Sequence, residues 1–372
     1  MATYKPLIIQ DGVLKQSTIP DNLARFPNWS TNSNGWVATQ AALRAKNLPY
    51  KALSNPLAYS TFGNFAGSTK WCGGVLAPNG CIYGIPASSV YILKINLATD
   101  TVTTFAAAAC GHAGGVLAPN GCIYAAPNTA TSFLKIDPTT DTTTTFGSVS
   151  TTGGWAGGVV APNGMIYCVP HNSAAVLKID PTTDTITTFG NFVGSAKWYG
   201  GALAPNGYIY GLPYGSTTVL KINPTTDTAT TFGSLAGGAA WEGGVLAPNG
   251  MIYCTPLNST SVLKIDPTTD TTTTFGSVSG GWTGSSLAPN GQIYSGLYSN
   301  SGIGLLKIDP TTDTATTFGN PSTSSTYSWL NVVLASNGCI YGLPYNSLSV
   351  LKIGGPVEVP MDFPLSRFFN KF

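Results

Sequence analysis

The chain has 372 residues, of which only 9% are charged, against roughly a quarter in an ordinary soluble domain. A hydrophobic content of 43% with 11% aromatics excludes a disordered chain, and a net charge of +2 leaves no basic face for counterion release, so no nucleic-acid partner is expected. No apolar run approaches the roughly 20 residues needed to span a bilayer, so membrane insertion is not expected; nor is a Sec-type export signal, because Met1-Ala2-Thr3-Tyr4-Lys5-Pro6 has no charged leader followed by an apolar core.

In chain order, the first 58 residues read as an arm: an extended start (Pro6 to Leu14), a polar middle around Asn28 to Gly35, and one helix near Trp36 to Lys46. It carries too little apolar content for a core of its own. A strand follows at Tyr59-Ser60-Thr61-Phe62-Gly63, and after it a repeat takes over. Ala-Pro-Asn-Gly recurs with Asn at 79, 120, 163, 206, 249 and 290, and once more as Ala335-Ser336-Asn337-Gly338, at steps of 41 to 47 residues. A period near 43 belongs to the four-stranded blade of a β-propeller.

The fourth unit shows the strands. Trp198 to Leu203 is an inner strand, turned at Pro205-Asn206-Gly207 into a second strand, Tyr208 to Leu212. Val219 to Ile222 is the third, and Asn223-Pro224-Thr225-Thr226-Asp227 turns it into an outer strand, Thr228 to Phe232. Asn-Gly suits a two-residue hairpin through its positive φ angles, and Asx-Pro starts a turn while withholding a ladder donor. Seven Asn-Gly hairpins accompany seven Leu-Lys-Ile strands, but no outer strand follows Val350 to Ile353. The missing strand is the one at Tyr59 to Gly63, which matches Thr230-Thr231-Phe232-Gly233. The expected fold is therefore all-β, a seven-bladed β-propeller over residues 59–353 whose last blade is completed by the N-terminal strand. Residues 1–58 and 354–372 form extended arms. Closing such a ring costs loop entropy only logarithmically and removes two exposed sheet edges.

Aligning the units separates scaffold from decoration. Lys94, Lys135, Lys178, Lys221, Lys264, Lys307 and Lys352 share one position per blade and form a ring. Ten acids (Asp100, Asp137, Asp141, Asp180, Asp184, Asp227, Asp266, Asp270, Asp309, Asp313) lie in the turns between third and outer strands. Asn96 and Asn223 stand in for Asp there, which points to an acceptor for the turn itself rather than a needed charge. These turns lack the clustered oxygen ligands of a calcium loop. Glu242 is left as the one propeller carboxylate outside a turn, with Lys70 and Lys197 as the remaining bases. Glycosidases want two carboxylates across one bond, and hydrolases a base held by a second group, so neither an enzyme nor a cofactor is expected.

His112 occupies the position that the other units give to Trp71, Trp155, Trp198, Trp241, Trp282 and Trp329, and reads as a substituted packing aromatic. Cys110 and His112 with His171 from the next blade could make part of a metal site, but zinc asks for three or four ligands at defined geometry, so no metal is expected. Cys81, Cys122 and Cys339 alternate with Met165, Tyr208, Met251 and Gln292 across the blades, and Cys168 and Cys254 with Gly and Ala. These are packing choices, so free thiols are expected, in keeping with synthesis in a reducing cytoplasm.

One face of the propeller is monotonous, built of Pro-Asn-Gly and Pro-Thr-Thr-Asp turns. The opposite face varies, and binding residues ride on variable loops held by a rigid frame. The candidate ligand- or receptor-binding rim there comprises Lys197, Tyr199, Tyr214, Glu242, Tyr298 and Tyr345. Loops rich in Tyr, Ser, Asn and Gly suit adaptable recognition of polar, glycan-like surfaces.

The blade unit, as in Leu177-Lys178-Ile179-Asp180-Pro181-Thr182-Thr183-Asp184 with its Thr-Thr-Phe-Gly outer strand, resembles the seven-bladed propellers related to streptogramin lyase. That family implies a magnesium-assisted His/Glu site, whose motif His112, His171 and Glu242 do not match. The termini resemble something else. Ala2-Thr3-Tyr4-Lys5-Pro6-Leu7-Ile8-Ile9-Gln10-Asp11-Gly12 is similar to openings of tailed-phage fibre and other virion accessory proteins, and Pro364-Leu365-Ser366-Arg367-Phe368-Phe369-Asn370-Lys371-Phe372 to endings in that class. Tyr4, Leu7, Ile8 and Ile9, with Phe363, Phe368, Phe369 and Phe372, would then dock on other virion proteins. The expectation is a non-enzymatic phage virion protein, made in the bacterial host cytoplasm and present in multiple copies in a symmetric assembly. Its variable face would meet a host-surface glycan or protein. The alternatives are a purely structural baseplate, collar or capsid decoration protein, and a propeller lyase or hydrolase.

Overall fold

A computed structural model describes residues 7–10, 13–16 and 58–354, apart from 150–153, 237–240, 279, 299–302, 320 and 322–327. The helix expected near Trp36 to Lys46 and the docking residues Tyr4, Phe363, Phe368, Phe369 and Phe372 lie outside the described residues. Leu7, Ile8 and Ile9 fall in a short strand, β1 (Leu7–Gln10), which pairs antiparallel with β2 (Val13–Gln16). The start of the arm is thus a pair of antiparallel strands rather than one extended segment.

Seven four-stranded antiparallel sheets make up the rest of the described residues. Six are continuous in sequence. The seventh assembles Trp329–Leu334, Ile340–Pro344 and Val350–Ile353 with β3 (Tyr59–Phe62) as its outer strand, in the register Tyr59↔Ile353 to Phe62↔Val350. Gly354 N–H donates to the Ala58 carbonyl at 2.8 Å and carries the ladder past the strand end. The ring is closed as the repeat count requires.

Sequence pattern explains the depth of each strand. The inner and second strands have blade neighbours on both faces and are continuous apolar or glycine runs, as in Trp155–Val160 and Ile166–Pro170, buried throughout. The outer strands are half-buried, as in Thr185–Phe189, where Ile186 packs on the cluster shared with the second blade, Phe189, on the opposite face, packs on the cluster shared with the fourth, and the threonines are exposed. The core is a series of interblade clusters. One joins Val159, Tyr167, Val169 and Val176 of the third blade to Trp198, Leu203, Ile209, Leu220 and Ile222 of the fourth. At about 1.5–3 kcal/mol per buried large aliphatic side chain, each interface is held mainly by burial.

Polar groups lock the monotonous face. In the third blade Asn163 Nδ2 donates to Tyr167 Oη (3.1 Å) and to the Pro224 carbonyl of the next blade (2.8 Å). Tyr167 Oη donates to Asp227 Oδ1 (2.7 Å), while Lys178 Nζ meets Asp227 Oδ2 (2.6 Å). The Lys–Asp part recurs as Lys94–Asp141, Lys135–Asp184, Lys221–Asp270, Lys264–Asp313 and Lys352–Asp100. This corrects the reading of the turn acids, which fall into two sets. Asp137, Asp180, Asp266 and Asp309 do serve their own turns, accepting the amide two residues on. The six at the turn ends adopt positive φ of 51–55° and pair with a lysine of the preceding blade, so their charge is used. The hairpin is corrected too. Among Pro-Asn-Gly only the glycine takes positive φ, as at Gly164 (81°), and Gly164 N–H closes onto the Ala161 carbonyl at 2.9 Å. The loop has three residues, and Asn is kept for its side chain.

Candidate functional site

Each inner strand starts with a residue buried in the core and continues with two that meet the axis. Trp155 pairs with Pro170, and the ladder resumes only at Gly158↔Cys168, a bulge that recurs in every blade. Bulges re-aim side chains. Here the third residues, Gly73, Gly114, Gly157, Gly200, Gly243, Gly284 and Asn331, all take positive φ. Their backbones crowd the axis: a Cβ on Gly73 would lie 2.9 Å from the Cα of Gly114, and one on Gly243 2.5 Å from that of Gly284. Glycine is required by both conformation and contact. Asn331 is the exception, a residue type that tolerates the left-handed region.

Above this ring lies a cavity of about 30 Å³ on the axis, lined by the ring itself together with Cys72, Tyr199, Glu242 and Leu330 from the second positions of four blades. Glu242 is 8% exposed, and no hydrogen bond reaches it among the described residues. Burial pushes its carboxyl up to about 8. Tyr199 Oη and Cys72 Sγ are hydrogen-bonded at 3.1 Å. Burial pushes the Cys72 thiol up to about 12 and the Tyr199 phenol well above its ordinary value, so both stay protonated at neutral pH.

The candidate rim residues separate into two groups. Tyr199, Tyr298 and Tyr345 pack together on Cys72, Ala113 and Leu330 around the mouth of the cavity. Tyr214 joins through Tyr199, their rings 5.8 Å apart, and Glu242 forms part of the cavity wall. Lys197 is placed differently. Its ammonium donates to the carbonyls of Gly194 (2.7 Å), Ser173 (2.9 Å) and His171 (3.3 Å), a strut tying its own loop to the preceding blade. Lys70 makes the corresponding bond to Gly67 at 2.7 Å.

Sequence reasoning missed two members of the mouth. His171 meets Tyr199 and Tyr214 edge-on at 5.4 and 5.2 Å, and burial pushes its imidazole below the usual histidine range. Cys72 follows Trp71 as Glu242 follows Trp241, so the repeat alignment held the signal that would have placed it on the axis. His112 sits where its repeat position predicts. It is buried, and Nε2 contacts the Ser132 carbonyl at 2.9 Å, twenty residues on, as Trp155 Nε1 bonds Ala175. Burial pushes its imidazole down to about 4, and Nδ1 has no partner. The seven thiols are unpaired. Among the described residues no cluster of three His, Cys, Asp or Glu side chains forms, and no helix is long and apolar enough to cross a membrane.

A family described as a repeat of unknown function (DUF6923) matches residues 109–207, the second and third blades and the inner strand of the fourth. No match is found among curated proteins. Similarity to solved structures lies in the fold. A streptogramin B lyase superposes with a TM-score of 0.67 at 12% identity, over 80% of this chain and 99% of the other. A catalytically inactive variant of virginiamycin B lyase from Staphylococcus aureus, solved with quinupristin, gives 0.68 at 11% identity with the same coverage. Hydrazine synthase from Kuenenia stuttgartiensis gives 0.58 at 14%, over 79% and 98%. The chain is thus a seven-bladed β-propeller with blades like those of the streptogramin B lyase propellers.

Proposed function

We propose that the chain is a non-enzymatic recognition protein of a phage virion, attached by its terminal arms, which presents the mouth of the axial cavity to a host-surface glycan or protein. The supporting observation is the gathering of Tyr199, Tyr214, Tyr298, Tyr345 and His171 around one end of the axis. Rigid aromatics with polar tips offer large contact area at low entropic cost, which suits recognition of polar surfaces. Glu242 has the burial of a tuned acid, but no second carboxylate or imidazole is hydrogen-bonded to it among the described residues. That favours binding over acid–base chemistry. The virion assignment follows from the resemblance of the termini, which supply apolar strips for docking on a particle.

The test is attachment of the purified full-length protein to a panel of bacterial cells and to an array of bacterial surface glycans. Tyr214→Ala and Tyr345→Ala are expected to reduce attachment at least tenfold while leaving the melting temperature nearly unchanged. Wild-type attachment by both variants would remove the mouth from the account. Phe368→Ala with Phe369→Ala is expected to abolish incorporation into particles without affecting attachment.

A further inference from the structure

We propose that the axial cavity receives a primary ammonium group of the bound ligand, with Glu242 as its counter-ion and Tyr199 as a wall of the approach. The proposal rests on the reading of this mouth as a recognition surface and names the chemistry recognised there.

Charge is the first argument. A carboxyl buried to this degree normally has a partner, because burial without one is costly. Among the described residues Glu242 has no hydrogen bond and no cation beside it. The buried ammonium groups of Lys70 and Lys197 are held on backbone carbonyls, and six lysines of the ring pair with aspartates at the opposite face. A ligand cation would supply the missing partner.

Size is the second. A cavity of about 30 Å³ has room for a small polar group such as an ammonium. It suits that group better than the bulkier trimethylammonium. The Tyr199 ring and oxygen, beside the Glu242 carboxyl, give such a group both a π face and acceptors.

Protonation supplies a signature. With its carboxyl pushed up to about 8 by burial, Glu242 is mostly protonated at pH 7 and must ionise to pair with an ammonium. The titratable groups facing it are Tyr199 from the adjoining inner strand and Cys72 from across the axis, with Tyr298 and Tyr345 packed beside them at the mouth; the inner strand on its other side, Trp282–Leu287, carries none. Tyr199 and Cys72 keep their protons through neutral pH, so the proton lost on binding comes from Glu242.

Calorimetric titration of the full-length protein tests this with glucosamine and Nα-acetyl-lysine amide as primary ammonium probes, choline as the quaternary probe, and glucose as the neutral one. The expected result is millimolar binding of at least one primary ammonium probe, release of close to one proton at pH 7 measured in buffers of different ionisation enthalpy, and affinity rising at least about tenfold from pH 6 to pH 8. The two primary probes distinguish an amino sugar from a lysine side chain as the source. Glu242→Gln is expected to lower affinity at least about tenfold with an unchanged far-ultraviolet dichroism spectrum, and Tyr199→Phe a few-fold. Equal binding of glucose or choline, affinity flat between pH 6 and 8, unaltered binding by Glu242→Gln, or no binding of either primary probe would each overturn the proposal. If cell attachment survives any of these results, the recognition reading stands without it. If amines bind but no cell or glycan does, the recognition reading falls and the ammonium site remains.

Discussion

The two faces of the propeller use the same blades to opposite ends. On the repeated face each unit spends its polar side chains on its neighbour: Asn163, Tyr167 and Lys178 of one blade are satisfied by Pro224 and Asp227 of the next, and six of the seven lysines find their aspartate. At the axial mouth of the other face the equivalent positions have diverged to Cys72, Ala113, Ala156, Tyr199, Glu242, Thr283 and Leu330, and a buried carboxyl is left without a hydrogen bond among the described residues. Where repetition satisfies all but Lys307 and Tyr294 beside the closing strand, the protein is holding itself together. Where symmetry breaks and satisfaction fails with it, stability has been yielded to something else, as binding sites tend to require.

Both faces depend on ring closure, so its loss should have the largest effect. Deleting residues 59–63 uncovers the edge of Val350–Ile353 and removes Phe62 from the cluster containing Tyr341 and Val350. Against a total stability of about 5–15 kcal/mol, the expected outcome is loss of the cooperative thermal transition by circular dichroism. A transition at the wild-type temperature would mean that the ring is sealed by something other than this strand. Next is Gly243→Val, which places a Cβ 2.5 Å from the Cα of Gly284 at a φ of +80°. A cost of at least ~3 kcal/mol in chemical denaturation is expected. Asn331→Gly restores the ring consensus at the expense of the Asn331 Oδ1 bond from Val332 N–H (2.8 Å) and should stay within ~1 kcal/mol.

The pH dependence of the two faces should have opposite signs. Glu242 binds its proton more tightly folded than unfolded, so its contribution to stability is full below the ordinary carboxylate range and is lost as pH rises toward about 8. Glu242→Gln should therefore stabilise the protein increasingly from pH 5 to pH 8 and level off above, by at most about 5 kcal/mol. Asp227 behaves in reverse. Burial pushes its carboxyl up, but the hydrogen bonds from Lys178 and Tyr167 outweigh it and hold it below the ordinary range. Its contribution is present at neutral pH and lost only as acid takes the solution below that range. Melting temperatures of wild type, Glu242→Gln and Asp227→Asn across pH 3–9 distinguish the two signs, and the same slope for both variants would erase the contrast between the faces.

How much of this could be read from residues alone follows from symmetry. Blade number, strand order and the closing role of Tyr59–Phe62 were legible because each is a statement about counts and spacings, which a seven-fold repeat states seven times. His112 was placed by its register with six tryptophans. The Lys–Asp ring was half legible: the alignment displayed both partners, but their pairing joins residues 47 to 49 apart in neighbouring blades, and 252 apart where the ring closes, a contact that depends on the rotation between sheets. The same limit hid the axis. Tyr214 and Tyr345 could be assigned to a face by loop type, whereas the approach of Cys72 to Tyr199 across 127 residues requires the ring to close first. Lys197 was assigned to the correct face, but its position did not reveal that three local carbonyls occupy its ammonium.

The smallest effect offers the finest discrimination. Lys178→Met breaks a partly exposed charge pair and should cost ~1 kcal/mol, as should the equivalent change at Lys94 or Lys264. Lys307 belongs to the same ring, but its partner would come from the turn between the third and outer strands of the seventh blade. There the chain does not turn at all, because β3 arrives from the far end of the sequence. Lys307 accordingly has no carboxylate partner among the described residues, and Tyr294, its blade's tyrosine, accepts from Asn290 without an aspartate to donate to. Lys307→Met should therefore leave chemical denaturation within about 0.5 kcal/mol of wild type. If it costs as much as Lys178→Met, the lysines stabilise the blades through their own stems packed along the tyrosine rings, and interblade pairing is not what holds the repeated face.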